Sequence, residues 1–448
     1  MKLAGIFTDG MVLQRNKEIR IFGEGDGCGF VTFRDTRVPF SCENGRFLAT
    51  LPPMEAGGPY TLSVTLGEES VTLSDVLVGD VFIASGQSNI AAHLNETVDI
   101  EPLACDDIRL YFRGLREDNH TDKDFDPDSE IWRHCKKENS RHFSAIGVEF
   151  ARQLYKRTGV PVGILANAIG ASRVDAWTPE EIVRTPAYRE WVPADYRTFG
   201  DYPFNEPGQC YAQKVAPIAP LSVAGVLWYQ GEANTKPPAC YHYAELLETM
   251  IGAWRAAFLD DTLPFYVVQL PPYCSTVEGA SWADVRAGQA RVAHRVPHVK
   301  LITSPETGEA RMIHPARKAG VALALVKAAL SDMTGSEEEY SGPQAEHFER
   351  LPHGLRITFS HAKGLHILGD HMTDTFAFDR RGVAMTVFAE IEGDTLTLSW
   401  RRDVPAARVS MGWQNDAHHN LYNAAGYLAS PFTYDMTAID GESTEPTF

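Results

Sequence analysis

The sequence predicts an α/β protein in which a parallel sheet is covered by helices and a β-rich segment lies at each end. Three observations carry this reading. Between Val76 and about Gly335, apolar runs alternate with helical patterns, as they do where strands are joined by crossover helices. Before that stretch, short runs of β-branched and aromatic residues are broken by Gly25-Asp26-Gly27, Asn44-Gly45 and Gly57-Gly58-Pro59. After it, strand-like runs return, with Gly393-Asp394 set between two of them like a hairpin turn. The predicted division is a β-sandwich-like domain over 1–76, the α/β core over 77–335 and a second β-rich domain over 336–448. A chain of 448 residues is too long for one ordinary hydrophobic core, which fits such a division.

The first part supplies Ile19–Gly23, Phe30–Phe33, Phe47–Leu51 and Tyr60–Leu66 as strands. In the middle part Val78–Ala84 reads as a buried strand. Ile146, Phe150 and Leu154 recur at the spacing of one helix face. Val160–Asn167 and Val223–Tyr229 are strands. Tyr243, Leu246, Leu247, Met250, Ile251 and Trp254 form a helical stripe. Phe265–Leu270 and Lys300–Thr303 are strands, and Val321–Leu330 continues a helix. The last part supplies Leu355–Phe359, Gly364–Ile367, Val383–Ile391, Thr395–Ser399 and Arg408–Met411. The segment Arg116–Glu130 is rich in aspartate and reads as a solvated loop.

Hydrophobic residues make up 44% and charged residues 22% of the chain, so a large core can be buried. The formal net charge of -18 disfavours polyphosphate, so no nucleic-acid partner is expected, and it disfavours a polybasic membrane contact. No run of about 18 apolar residues occurs, so no membrane-spanning helix is expected. The cysteines are seven in number, widely spaced and without a C-x-x-C pair, which speaks against a disulfide framework and for a reducing compartment. Residues Met1 to Met11 hold one lysine and no long apolar run, unlike a secretory signal. The expected location is the cytoplasm.

In an open parallel sheet, ligands bind beyond the carboxyl ends of the strands, so the residues that follow each strand carry the most information. Ser85-Gly86-Gln87-Ser88-Asn89 follows the first core strand. A serine in a glycine-containing turn can expose its hydroxyl, and the next helix start can support a developing negative charge. Ala168-Ile169-Gly170-Ala171-Ser172 follows the second, where the Gly170 N–H can face an oxyanion. Gln230-Gly231-Glu232-Ala233-Asn234 follows the third and offers the side-chain amides of Gln230 and Asn234. Ile313-His314-Pro315 precedes a helix expected to start around Pro315. Each feature alone has a plain structural explanation as a cap, a tight turn or a buried histidine. Together they form the parts of an acyl-transfer site: nucleophile, base and oxyanion donors. No metal-ligand spacing, nucleotide-binding glycine loop or G-x-S-x-G elbow occurs, and neither metal nor cofactor is expected.

At these residues the chain resembles the sialate O-acetylesterases of the SGNH hydrolase superfamily. "FTDGMVLQR", "LPPMEAGGPYTL", "VLVGDVFIASGQSN", "WYQGEAN", "LPFYVVQL", "IHPARK" and "NLYNAAGYLASPF" look like family segments in family order over nearly the whole chain. The resemblance implies a flavodoxin-like esterase core joined to β-domains and a serine mechanism without cofactor. It makes Ser88 the nucleophile and His314 the general base. The backbone N–H groups of Ser88 and Gly170 become oxyanion donors, completed by Gln230 or Asn234. Gln87, Arg173 and Glu232 fall to substrate binding. An O-acetylated sugar is the expected small-molecule partner.

Two positions depart from the family pattern. Where the family commonly carries Asp two residues before the histidine, Met312 stands, and Arg311 stands three before it. The imidazole is then oriented by a backbone carbonyl in a Ser–His dyad, or by a carboxylate from Glu306, Glu309 or Glu232, or the enzyme is impaired. Arg173, in a place where the family often has proline, either pairs with a sialic acid carboxylate or forms a salt bridge to Asp175. Besides a sialate esterase, the sequence leaves open an acetylxylan or other carbohydrate esterase, and a carbohydrate-binding protein that has lost catalysis.

Overall fold

The computed structural model of the chain describes residues 1–112, 130–192, 202–303, 310–401 and 404–437. Most of the acidic segment at 116–130 thus lies outside the described residues, as do Glu306 and Glu309. The chain forms two compact units. The first draws on Met1–Thr185, Asp195–Gln230 and Thr249–Phe265, and the second on Pro186–Ala194, Gly231–Glu248 and Tyr266–Phe448.

The first unit is built on one strand, Glu69–Gly86, in which every residue from Val76 to Gly86 is buried. Its first half pairs antiparallel with Gly57–Leu66. Val12–Gln14 then runs parallel to it at Leu77–Gly79. Its second half lies between Val162–Ala168 and Gly225–Tyr229, both parallel to it. Beyond Val162–Ala168 comes Cys105–Phe112, also parallel, and at the edge Trp132–Cys135, antiparallel. The sheet is therefore mixed rather than wholly parallel. Strands buried on both faces read as unbroken apolar runs, which is why Val78–Ala84 lacks alternation.

The helix Ala145–Thr158 covers this sheet. Ser144 caps it, its Oγ accepting from the Gly147 N–H at 3.0 Å while donating to the Ile90 carbonyl at 2.6 Å. Ile146, Phe150 and Leu154 are buried, with Phe150 edge-on to Phe82 at 4.8 Å. Gly159, at φ +67, ends the helix in the left-handed conformation.

The N-terminal strands form a three-stranded antiparallel sheet of Lys2–Leu3, Ile19–Glu24 and Arg46–Leu51, beside a Cys28–Phe33 and Thr36–Ser41 hairpin that pairs with Gly57–Leu66. They are tied to the core strand by polar bonds as well. Arg15 meets Asp80 through two parallel hydrogen bonds of 2.8 and 3.0 Å. The Val81 N–H donates to Gln14 Oε1 at 2.8 Å.

The strand Phe265–Val268, which enters the second unit at Tyr266, and Val299–Ile302 are neighbours. The helices Trp282–Arg295 and Ala319–Thr334 pack on Val299–Ile302. The second helix starts four residues later than the sequence suggests, because His314 to Lys318 take no helical turn of their own. Two four-stranded antiparallel sheets follow. One holds Gln344–Leu351, Gly354–Ser360, Thr395–Ser399 and Phe388–Glu392. The other holds Ala384–Thr386, Thr375–Phe378, Arg408–Met411 and Phe432–Asp435. The single run expected over Val383–Ile391 thus divides between two sheets at Val387. Leu355, Ile357, Leu396, Leu398, Val409 and Phe432 belong to one common core. Arg286 reaches the 412–416 loop, donating to the Asn415 carbonyl at 3.2 Å, while Asn415 Oδ1 accepts from the Trp282 N–H at 2.8 Å.

Asp80 is almost fully buried, and its negative charge is matched there by Arg15. Arg15→Met should therefore lower stability by about 3 kcal/mol, the cost of leaving a buried carboxylate uncompensated. Urea unfolding of the two proteins measures the difference.

Candidate active site

The site grows from the point where three strands of the first unit end together. Gly86 sits between Ala168 on one side and Tyr229 on the other. Its φ is +130, and a Cβ added there would lie 2.2 Å from the Tyr229 carbonyl oxygen, so no other residue fits. The ladder continues one step past the strands on each side. The Ile169 N–H donates to the Gly86 carbonyl at 3.1 Å, and the Gln87 N–H donates to the Tyr229 carbonyl at 3.0 Å. The chain then leaves the sheet at Ser88, which is half-buried while Gln87 and Asn89 on either side of it are buried. The helix that begins at Ser88 is a single turn ending at Ala91. It is too short to act as the helix start expected to support an oxyanion, because a macrodipole needs several aligned turns.

Gly170 lies against Ser88. A Cβ added to Gly170 would stand 3.7 Å from the Ser88 Cβ. Gly170 is exposed, and among the described residues its N–H donates to no protein group. The turn that presents it runs from Ile169 to Ser172, closed by the Ser172 N–H on the Ile169 carbonyl at 3.3 Å. Ala171 has φ +58, a left-handed position that usually goes to glycine in such a turn.

Gln230 is buried, and its amide has a defined task. Nε2 donates to Gln87 Oε1 at 3.2 Å and to the Ser172 carbonyl at 3.0 Å, so both of its protons are engaged within the protein. It ties together the loops that follow all three strands. Arg173 is 2% exposed, and its Nε meets Asp175 Oδ1 at 3.0 Å, the salt bridge that stood as the alternative to carboxylate recognition. Its backbone N–H donates to Asn205 Oδ1 at 2.9 Å, and Asn205 Nδ2 returns a bond to the Ala171 carbonyl at 2.9 Å. Beneath these loops three tryptophans pack mutually: Trp177, Trp228 and Trp254, with ring centroids 6.0 to 6.2 Å apart. Trp177 Nε1 donates to Ser172 Oγ at 2.9 Å, which joins the aromatic cluster to the turn.

The remaining candidates belong to the second unit. Glu232 and Asn234 form one turn of 3-10 helix and are buried. His314 is exposed, as are Arg311 and Met312 before it, and neither of those two positions carries a carboxylate. Two cysteine thiols can be set aside as nucleophiles. Burial pushes Cys240 and Cys135 up to about 12, with Asp284 beside the first and Cys105 beside the second adding to the effect. Among the described residues no group of three or more His, Cys, Asp or Glu is placed to hold a metal ion. No helix of the described residues is long and apolar enough to cross a membrane. Sequence reasoning named Gln230 only as a possible oxyanion donor and gave Ser172 and Asn205 no role. Their bonds reach main-chain groups brought near by the fold, which no local pattern announces.

A half-buried serine thus stands beside an exposed glycine at the carboxyl ends of adjacent parallel strands, the arrangement in which an ester hydrolase carries its nucleophile and an oxyanion donor. The family model of carbohydrate esterases described as sialic acid-specific acetylesterases matches residues 78–329, and the chain belongs to that family. Sialate O-acetylesterases from Pongo abelii and Homo sapiens are each 25% identical to it, over 407 and 411 residues, covering 80% of this chain and 76% of theirs. A solved structure of a carbohydrate acetylesterase from Xanthomonas citri is 27% identical, with a TM-score of 0.82 over 97% of this chain and 99% of that one.

The left-handed Ala171 makes a prediction. An L side chain at such a φ costs roughly 1 kcal/mol against glycine. Ala171→Gly should therefore raise stability by about 0.5–1 kcal/mol, read as an upward shift of the thermal midpoint.

Proposed function

We propose that the chain is a serine esterase that removes O-acetyl groups from sialic acids, with Ser88 as nucleophile and His314 as general base. The observation that carries the proposal is the pairing of a half-buried Ser88 with the exposed Gly170 N–H at adjoining strand ends, in a chain of the sialic acid-specific acetylesterase family. Ser88 Oγ attacks the acetyl carbonyl as His314 takes its proton. The tetrahedral oxyanion is held by the N–H groups of Ser88 and Gly170. The sugar leaves with a proton from His314, and water then releases acetate from Ser88. Because both Gln230 amide protons are engaged elsewhere, we assign the third oxyanion donor to Asn234 and make Gln230 a brace. We take Ser88 and His314 as a dyad, since Arg311 and Met312 hold no carboxylate and the acid of a triad serves mainly to orient the imidazole. Gln87 and Glu232 are proposed to face the sugar.

The core is proposed to be flavodoxin-like, with functional domains at 1–76, 77–335 and 336–448. The location is proposed to be the cytoplasm, on the odd number and wide spacing of the cysteines. A second reading keeps the chemistry and widens the sugar. It is supported by the likeness to the carbohydrate acetylesterase from Xanthomonas citri.

Acetate release from 9-O-acetyl sialic acid tests the proposal. The wild-type protein should release acetate, and Ser88→Ala should reduce this to background. Release from acetylated xylan alone would favour the second reading. Silence on both sugars and on an aryl acetate would favour a binding protein. Arg173 has its own test. Its burial against Asp175 makes it a support, so Arg173→Ala should lower turnover of O-acetyl sialic acid and of a neutral aryl acetate alike, and cost about 3 kcal/mol of stability. A rise in KM confined to the sialic acid substrate would instead mark Arg173 as the carboxylate receptor.

A further inference from the structure

The carbonyl and the N–H of a trans peptide point in opposite directions within one plane. Whatever holds the Ile169 carbonyl therefore also aims the Gly170 N–H. Ser172 holds that carbonyl twice, through its Oγ–H at 2.7 Å and its N–H at 3.3 Å. The hydroxyl is itself fixed. Trp177 Nε1 donates to Oγ at 2.9 Å, which occupies a lone pair and leaves the proton for a carbonyl. Among the described residues its one other acceptor is the Gly86 carbonyl, at 3.3 Å, so the hydroxyl lies between the ends of two strands. Ser172 is 0% exposed, and water does not compete for these bonds. The Ser172 carbonyl is anchored as well, by Gln230 Nε2.

We propose that Ser172 is a positioning residue that aims the Gly170 N–H at the oxyanion by pinning the Ile169–Gly170 peptide plane. This rests on the serine-esterase reading above. Ser172 makes and breaks no bond in the reaction. Its hydroxyl keeps in place a turn that the left-handed Ala171 would otherwise tend to relax. A carbonyl engaged by a buried hydroxyl also polarises its peptide, which strengthens the N–H at the other end.

Ser85 supplies a matched control. It too is 0% exposed, and its Oγ donates to a main-chain carbonyl, that of Asn167, at 2.8 Å. Among the described residues its hydroxyl bonds no atom of the Ile169–Gly170 peptide. Deleting an oxyanion donor costs roughly 10²–10³ in turnover, so loosening one should cost roughly 10- to 100-fold. The experiment compares the full-length wild type, Ser172→Ala and Ser85→Ala in aryl acetate hydrolysis, thermal unfolding and inhibition by an alkylboronic acid, which becomes tetrahedral on a catalytic serine. Ser172→Ala should lower kcat and kcat/KM together by roughly 10- to 100-fold, the mark of an interaction made in the transition state. Its affinity for the boronic acid should weaken by a similar factor. Ser85→Ala should lose a comparable thermal shift yet keep its rate within about twofold. Ser172→Cys, which fills the same space with a weak donor, takes the place of the alanine variant should that fail to fold. Equal rate losses in the Ser172 and Ser85 variants, an unchanged rate in Ser172→Ala, or a rate loss without weaker boronic acid binding would each overturn the proposal. A wild type that neither hydrolyses the aryl acetate nor binds the boronic acid would instead overturn the esterase reading itself, and this inference with it.

Discussion

The first unit depends on the requirement that a buried backbone leave no N–H or C=O unpaired. Its central strand is buried without interruption from Val76 to Gly86, and it meets this requirement by changing partners along its length. It pairs first with the N-terminal strand Gly57–Leu66, then with Val12–Gln14, and finally with two core strands. The same peptide chain is thus an element of the N-terminal β-structure and the middle of the core sheet. The boundary proposed near residue 76 is therefore one of function rather than of chain continuity: the strand Glu69–Gly86 runs across it, and Arg15 reaches over it to Asp80.

That continuity has a chemical consequence. At Gly86 both flanking strands are still bonded to the central one, so the direction in which the chain leaves the sheet is set by two neighbours rather than by a flexible loop. Ser88 is only two residues further on. For the nucleophile role proposed for Ser88, rigid delivery of this kind would let the hydroxyl remain half-exposed without wandering, and holding a group in attack geometry accounts for much of what a catalytic site achieves. Buried and exposed groups divide the work accordingly. Gln230, Ser172, Asn205 and Trp177 are buried and bond one another's loops, while Gly170 stands in the open.

What the sequence makes legible follows the same division. Core strands and amphipathic helices appear in it because burial writes a periodic apolar pattern: Val162–Ala168 lies within two residues of its expected bounds, and Ile146, Phe150 and Leu154 lie on the buried face of Ala145–Thr158. The Cys105–Phe112 strand escapes notice because Arg109 and two aspartates interrupt its apolar run, although Arg109 is buried against Asp75. The helix Trp282–Arg295 escapes for a similar reason, since its buried face includes Arg286 and Gln289. Polar residues that spend their hydrogen bonds inside the protein look like surface residues until the fold shows their partners.

The turn from Ile169 to Ser172, proposed above to face the oxyanion, sharpens the point. Family motifs bring Ser88, Gly170 and the 230–234 loop to attention, but they carry no information on how a main-chain N–H is held in direction. That information lies in an unremarkable serine two residues past the glycine and in a left-handed alanine between them. The strain at Ala171 and the two bonds from Ser172 oppose one another: the first favours a relaxed turn, the second forbids it. If the Gly170 N–H serves the oxyanion as proposed, a turn held in this balance presents it in one direction before substrate arrives, and little reorganisation remains to be done when charge develops on the carbonyl oxygen.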